Sequence, residues 1–269
     1  MKQPSGHMVE LDFYFNDRSS ADALRDVVEH CITTGATLSG DALVSEFEGA
    51  RNATFPHVHC HDNRVITLPD AEMHARLCHN NTRILKIGLW NTLGFGENSP
   101  EIVMFNGMSE VASSHDANSI AIVGEGWRFD TEGYEKERLI EGRKCYSLFT
   151  NTCRALLPAY AAILIEDSLP CLSDLRRGRG TRCFRDFFVS ASFAGEALLD
   201  HIESFYADSY TERTPEGLYV ATWVFAPVEI KFDRKSALIR SKLVAELLGS
   251  VSTSGGVALS TKIDPGNDG

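Results

Sequence analysis

The residues best suited to chemistry lie in His57-Val58-His59-Cys60-His61-Asp62, followed by His74, Cys78 and His79. In an extended segment His57, His59 and His61 project to one side, and on a helix His74 and Cys78 share a face at i,i+4. Imidazole and thiolate ligate zinc and other first-row ions. His57, His59 and His61, with His79 or Asp62 to complete the shell, are therefore a candidate zinc site for a metal-dependent enzyme. A polar surface segment with incidental histidines accounts for the same residues, and on that reading the protein needs no cofactor.

The second group is Arg176-Arg177-Gly178-Arg179-Gly180-Thr181-Arg182, with Arg185 close behind. Guanidinium forks bind carboxylates and phosphates in pairs of hydrogen bonds, and the glycines let main-chain amides approach a ligand. Arg176, Arg177, Arg179 and Arg182 are thus candidates for binding an acidic partner or for sensing an anion or nucleotide. The plainer reading is a loop whose arginines are solvated or paired with Glu166, Asp167 and Asp174. Glu166-Asp167 itself reads as the end of a strand.

Other signatures are missing. Gly124-Glu125-Gly126-Trp127 lacks a third glycine and reads as a turn, and the sequence contains neither a Gly-x-Ser-x-Gly nucleophile turn nor a phosphate-binding Walker loop.

These groups must be positioned by elements that the hydrophobic pattern marks out. Val9 to Phe15 suits a strand, and Leu24, Val27, Val28 and Cys31 give the following segment a helical stripe. The same unit returns as Arg185 to Val189 followed by Ala197, Leu198, Leu199, Ile202 and Phe205. Aligned without a gap, Asp12/Asp186, Phe13/Phe187, Ala23/Ala197, Leu24/Leu198, Asp26/Asp200 and Glu29/Glu203 are identical, which suggests an internal repeat.

Between the units, Ile84 to Trp90, Ile102 to Phe105 and Ser119 to Val123 read as an antiparallel meander. A long helix is predicted over Tyr134 to Leu157, with Leu139, Tyr146, Phe149, Cys153 and Leu156 as its stripe and Pro158 as its stop. Ala161 to Ile165 and Gly217 to Phe225 suit strands. In the last helix Asp233 is the expected cap, Leu238, Ile239, Leu243, Leu247 and Leu248 the expected apolar face, and Gly249 the end.

This order does not alternate strictly. It predicts an α+β fold, with a mixed or antiparallel sheet, helices packed on one face, and two ferredoxin-like pseudo-repeats. The expected division is 1–130, 131–250 and a flexible tail over 251–269. Within the stretch from Thr37 to Thr82, Ala-Leu-Val-Ser-Glu-Phe-Glu fits helix or strand.

With 37 acidic against 26 basic side chains the formal charge is −11, which repels nucleic-acid phosphates and anionic membranes. Nonspecific nucleic-acid binding is not expected. The seven cysteines are scattered without paired spacing and read as reduced thiols. No apolar run follows the early lysine and none is long enough to span a bilayer, so the cytoplasm is the expected location.

Leu89-Trp90-Asn91 at a strand end, Leu157-Pro158-Ala159-Tyr160 closing the long helix, and Phe187-Phe188-Val189 before a helix resemble the α+β immunity proteins that bacteria encode beside polymorphic toxins. The resemblance implies a non-enzymatic cytosolic protein that binds a protein partner, a toxin domain, and blocks its active surface. An acidic surface would speed capture of a basic toxin.

Overall fold

In β1 (Met8–Tyr14), Val9, Leu11 and Phe13 enter one apolar cluster while Tyr14 enters another, the two-residue period of a strand buried on both sides. Around it the computed structural model describes residues 8–18, 20–46, 63–67, 82–90, 100–106, 119–126, 129, 135–165, 167, 169–222, 225–228 and 233–251. The other strands are β2 (Thr37–Glu46), β3 (Asn63–Thr67), β4 (Thr82–Trp90), β5 (Pro100–Asn106), β6 (Ser119–Glu125), β7 (Tyr160–Ile165), β8 (Asp186–Ser190), β9 (Tyr210–Thr214) and β10 (Gly217–Ala221). The helices are α1 (Ser20–Thr33), α2 (Glu135–Leu156), α3 (Leu172–Arg176), α4 (Ala191–Ala194), α5 (Glu196–Ser204) and α6 (Arg234–Gly249).

The strands form one ten-stranded sheet in the order β3-β2-β4-β5-β6-β1-β7-β8-β10-β9. Every neighbouring pair is antiparallel. The fold is α+β, as the pattern predicts, and β4-β5-β6 is the expected meander. The sheet continues unbroken across position 130.

Alternation along the strands separates two clusters. One joins Phe13, Ile163, Phe188 and Tyr219 to Leu24 and Val28 of α1 and to Phe149 and Cys153 of α2. The other joins Tyr160, Leu164, Phe187 and Leu218 to Leu199 and Ile202 of α5 and to Val244 and Leu248 of α6. Helices therefore cover both faces, not the one face expected from sequence.

The reason is handedness. Because all neighbours are antiparallel, β1 and β2 run the same way, as do β8 and β9. The α1 connection moves along the sheet away from β7 in one direction, and the α5 connection moves away in the other. A connection between parallel strands almost always takes one hand, so opposite directions put the two helices on opposite faces. The connection through α2, from β6 to β7, obeys the same hand on the α1 side.

The residue pairs aligned by sequence follow this arrangement. Phe13 faces α1 in one cluster and Phe187 faces α5 in the other; Leu24 and Leu198 divide the same way. Asp12 and Asp186 each accept a main-chain N–H, from Leu169 and Thr222 respectively, at 2.8 Å in both cases.

Two helical faces differ from expectation. Leu139, assigned to the buried stripe of α2, is exposed, whereas Cys145, Tyr146, Phe149 and Cys153 are buried. In α6 the buried residues are Ala237, Ser241, Val244, Ala245 and Leu248. Of the five residues expected to form its apolar face, Leu238, Ile239 and Leu243 point outward.

Candidate functional site

α6 begins where sequence places it: the Asp233 carboxylate accepts the N–H of Lys235 at 3.0 Å. Its inward face mixes Ala237, Ser241 and Ala245 with Val244 and Leu248, and its end lies close against α3. A Cβ on Gly249 would stand 2.9 Å from the carbonyl oxygen of Leu175. Ser241 accepts the buried N–H of Phe184 at 2.9 Å, which fixes that face further. The larger side chains are left outside, with Leu238 40%, Ile239 54% and Leu243 38% exposed. At positions 238, 239 and 243 they form a helical stripe, and Lys235 and Lys242, both exposed, lie along it.

The arginine-rich loop leaves α3 beside the C-terminal end of α6. It is fastened rather than loose. The N–H groups of Arg177 and Arg179 donate to Asp174 O at 3.0 and 2.9 Å, and that of Gly178 donates to Leu175 O at 2.9 Å. Gly178 and Gly180 have φ of 74° and 73°, in the left-handed region that glycine alone adopts without cost. A Cβ on Gly180 would reach 2.1 Å from Pro170 Cγ. Pro170 is held in turn by Tyr160, whose hydroxyl donates to Pro170 O at 2.8 Å.

The four candidate arginines diverge from this frame. Arg176 donates to Val251 O at 3.0 Å, next to the end of α6. Arg177 is exposed. Arg179 returns to Asp174, whose Oδ1 it meets at 3.2 Å, with 62% of its side chain exposed. Arg182 lines a different feature, a recess of about 60 Å³ shared with Asp167, Cys183, Arg185 and Asp186. They do not form one anion cradle.

The sequence reading offers Asp167 as a partner for the loop's arginines, and the structure places Asp167 in the lining of the same recess as Arg182 and Arg185. Cys183, in the recess wall, has its thiol pushed well up by burial and then by the charge of Asp167, so it is held as a thiol. Cys153 is raised by burial alone. Cys31, Cys145, Cys153, Cys171 and Cys183 are buried free cysteines, in keeping with reduced thiols.

His57, His59, His61, His74, Cys78 and His79 lie outside the described residues, as does Glu166. Among the described residues no three His, Cys, Asp or Glu side chains gather to hold a metal ion. Nor is any described helix long and apolar enough to cross a membrane.

No protein-family model matches the chain. No curated protein matches it. Among solved structures it is similar to the Pseudomonas aeruginosa T6SS protein PA0821, at 12% identity and a TM-score of 0.39, over 93% of this chain and 77% of that one.

Proposed function

We propose that this chain is a non-enzymatic, cytoplasmic interaction protein that docks a protein partner on α6. The reading is carried by the outward stripe of Leu238, Ile239 and Leu243. Large aliphatic side chains grouped on one exposed helix face, while Ala237, Ser241, Val244, Ala245 and Leu248 bury the opposite face, are what a helix offered to a partner presents.

The charge around the stripe selects the partner's chemistry. The protein as a whole carries −11, yet Lys235 and Lys242 flank the stripe and Arg176 and Arg177 stand beyond its C-terminal end. Lys242 is paired with Glu246 at 3.8 Å and Lys235 follows the capping Asp233, so the border is of mixed charge and the matching surface is an apolar patch with a polar rim. The immunity proteins that the sequence resembles act by covering a toxin domain, and a toxin of that description is the partner proposed here. The acidic remainder of the molecule then keeps other basic proteins' surfaces from being confused with this contact only by geometry, which places the specificity in α6.

Affinity capture from the native host with the intact chain, and with Ile239→Glu/Leu243→Glu, tests the reading. The intact chain is expected to retain a protein partner that the double variant loses by at least about tenfold, the effect of roughly 1.4 kcal/mol. Arg143→Glu, on the opposite helical layer, is expected to retain it. Equal recovery by the α6 variant, or recovery of no partner, would remove the basis for the proposal. If the partner is a toxin, co-expression of the intact chain restores growth and co-expression of the variant does not.

A further inference from the structure

The sheet ends at β9, and no strand lies beyond it among the described residues. Pro215 and Glu216 form a two-residue turn that sets Thr214 directly opposite Gly217. Residues of an antiparallel strand turn their N–H and C=O to alternate sides. Tyr210, Glu212 and Thr214 therefore bond to β10, while Thr211 and Arg213 present theirs at the open edge. Neither has another main-chain partner among the described residues.

An open edge is a template for one more strand unless something blunts it. β9 contains no proline, its register with β10 runs through all five residues without a bulge, and all five are partly exposed. It carries charge instead. On one face of the sheet Glu212 accepts from the Tyr210 hydroxyl at 3.0 Å, and Arg213 lies on the other face.

That charge decides which strand can be added. The two-fold register that pairs Thr211 with Arg213 of a second copy sets Glu212 opposite its own copy, a like-charge contact at about 4.5–5.5 Å. Self-pairing is disfavoured. On the α5 side the Arg213 guanidinium is shared by three carboxylates: it donates to Glu196, meets Asp200 at 3.3 Å and lies 3.9 Å from Glu203. Glu196 and Asp200 are largely exposed, so negative charge is left over beside the edge. An added strand runs about 4.8 Å from β9, which brings a lysine or arginine side chain within reach of these carboxylates.

We propose that the outer edge of β9 takes up an extended, basic segment of a partner protein as a further strand. Main-chain bonds to Thr211 and Arg213 supply the pairing, and Glu196, Asp200, Glu203 and Glu212 select lysine and arginine. This edge is distinct from the α6 stripe, and either surface can fail without the other.

The test uses the full chain and a fluorescent peptide of alternating lysine and valine, followed by anisotropy, with hydrogen exchange of the Thr211 and Arg213 amides as a second readout. The peptide is expected to bind saturably, to weaken with added salt and to slow exchange of both amides at least about tenfold. Thr211→Pro removes an outward N–H and no bond to β10, so the fold is expected to survive while affinity falls at least about tenfold. Asp200→Lys/Glu203→Lys is expected to weaken binding and flatten its salt dependence, and this pair decides if the proline variant fails to fold. Ile239→Glu/Leu243→Glu, on α6, is expected to bind the peptide as the intact chain does. No binding, loss of binding in the α6 variant, or unchanged affinity in a folded edge variant overturns the proposal. Equal binding of a glutamate–valine peptide, or of a peptide methylated on all its main-chain nitrogens, does so too, as does self-association of the chain that Thr211→Pro abolishes.

Discussion

The carboxylate of Asp186, at the first residue of β8, accepts the main-chain N–H of Thr222, just past the end of β10, at 2.8 Å. Both residues are buried, so the bond ties the exit of one strand to the entry of a strand beside it where the sheet ladder has stopped. Asp12, within β1, also accepts a main-chain N–H, that of Leu169 in the loop after β7.

Replacing Asp186 by alanine leaves the Thr222 amide buried without this acceptor. A loss of about 1–3 kcal/mol of stability is expected, and a smaller one for Asp186→Asn, which keeps an acceptor oxygen. Urea unfolding at neutral pH measures both. An alanine variant with an unchanged midpoint would show that the bond contributes nothing.

The two loop glycines separate backbone strain from packing. Gly178→Ala meets open space, so only the left-handed φ of 74° opposes it, at about 1–2 kcal/mol. Gly180→Ala has the same φ penalty and also drives a methyl group to 2.1 Å from Pro170 Cγ. It is expected to be the more destabilising by at least about 1 kcal/mol. Equal unfolding midpoints for the two variants would mean that the loop is not seated on Pro170.

Stability also distinguishes the faces of α6. Ile239→Gln and Leu243→Gln, on the exposed stripe, are expected to change unfolding by no more than about 1 kcal/mol, since both side chains are only partly covered. Leu248→Ala, fully buried, is expected to cost about 2–5 kcal/mol. The reverse order would mean that Leu248 is not in the core and that the stripe is.

That periodicity explains what was legible in the sequence. α1 was, because Leu24, Val27, Val28 and Cys31 are its large apolar residues and all of them are buried. The face of α6 was not: Leu238, Ile239 and Leu243 outweigh Ala237, Ser241 and Ala245 in any count of hydrophobicity. Close approach to α3 favours small side chains at the contact, a demand made by tertiary structure and not by the helix.

β9 was missed for a related reason. Tyr-Thr-Glu-Arg-Thr is polar and only partly buried, as suits the last strand of the sheet, and it carries little of the signal that marks a core strand. The candidate sites divide in the same way. The arginine loop was visible as composition, but the direction of each arginine depended on Pro170, Asp174 and Val251, and the recess exists only because β7 and β8 diverge.

With helices on either side of the strands, the outward residues of α6 are separated from α1 and α2 by the full thickness of the sheet, so a substitution on that outward face leaves the packing of the other flank as it was.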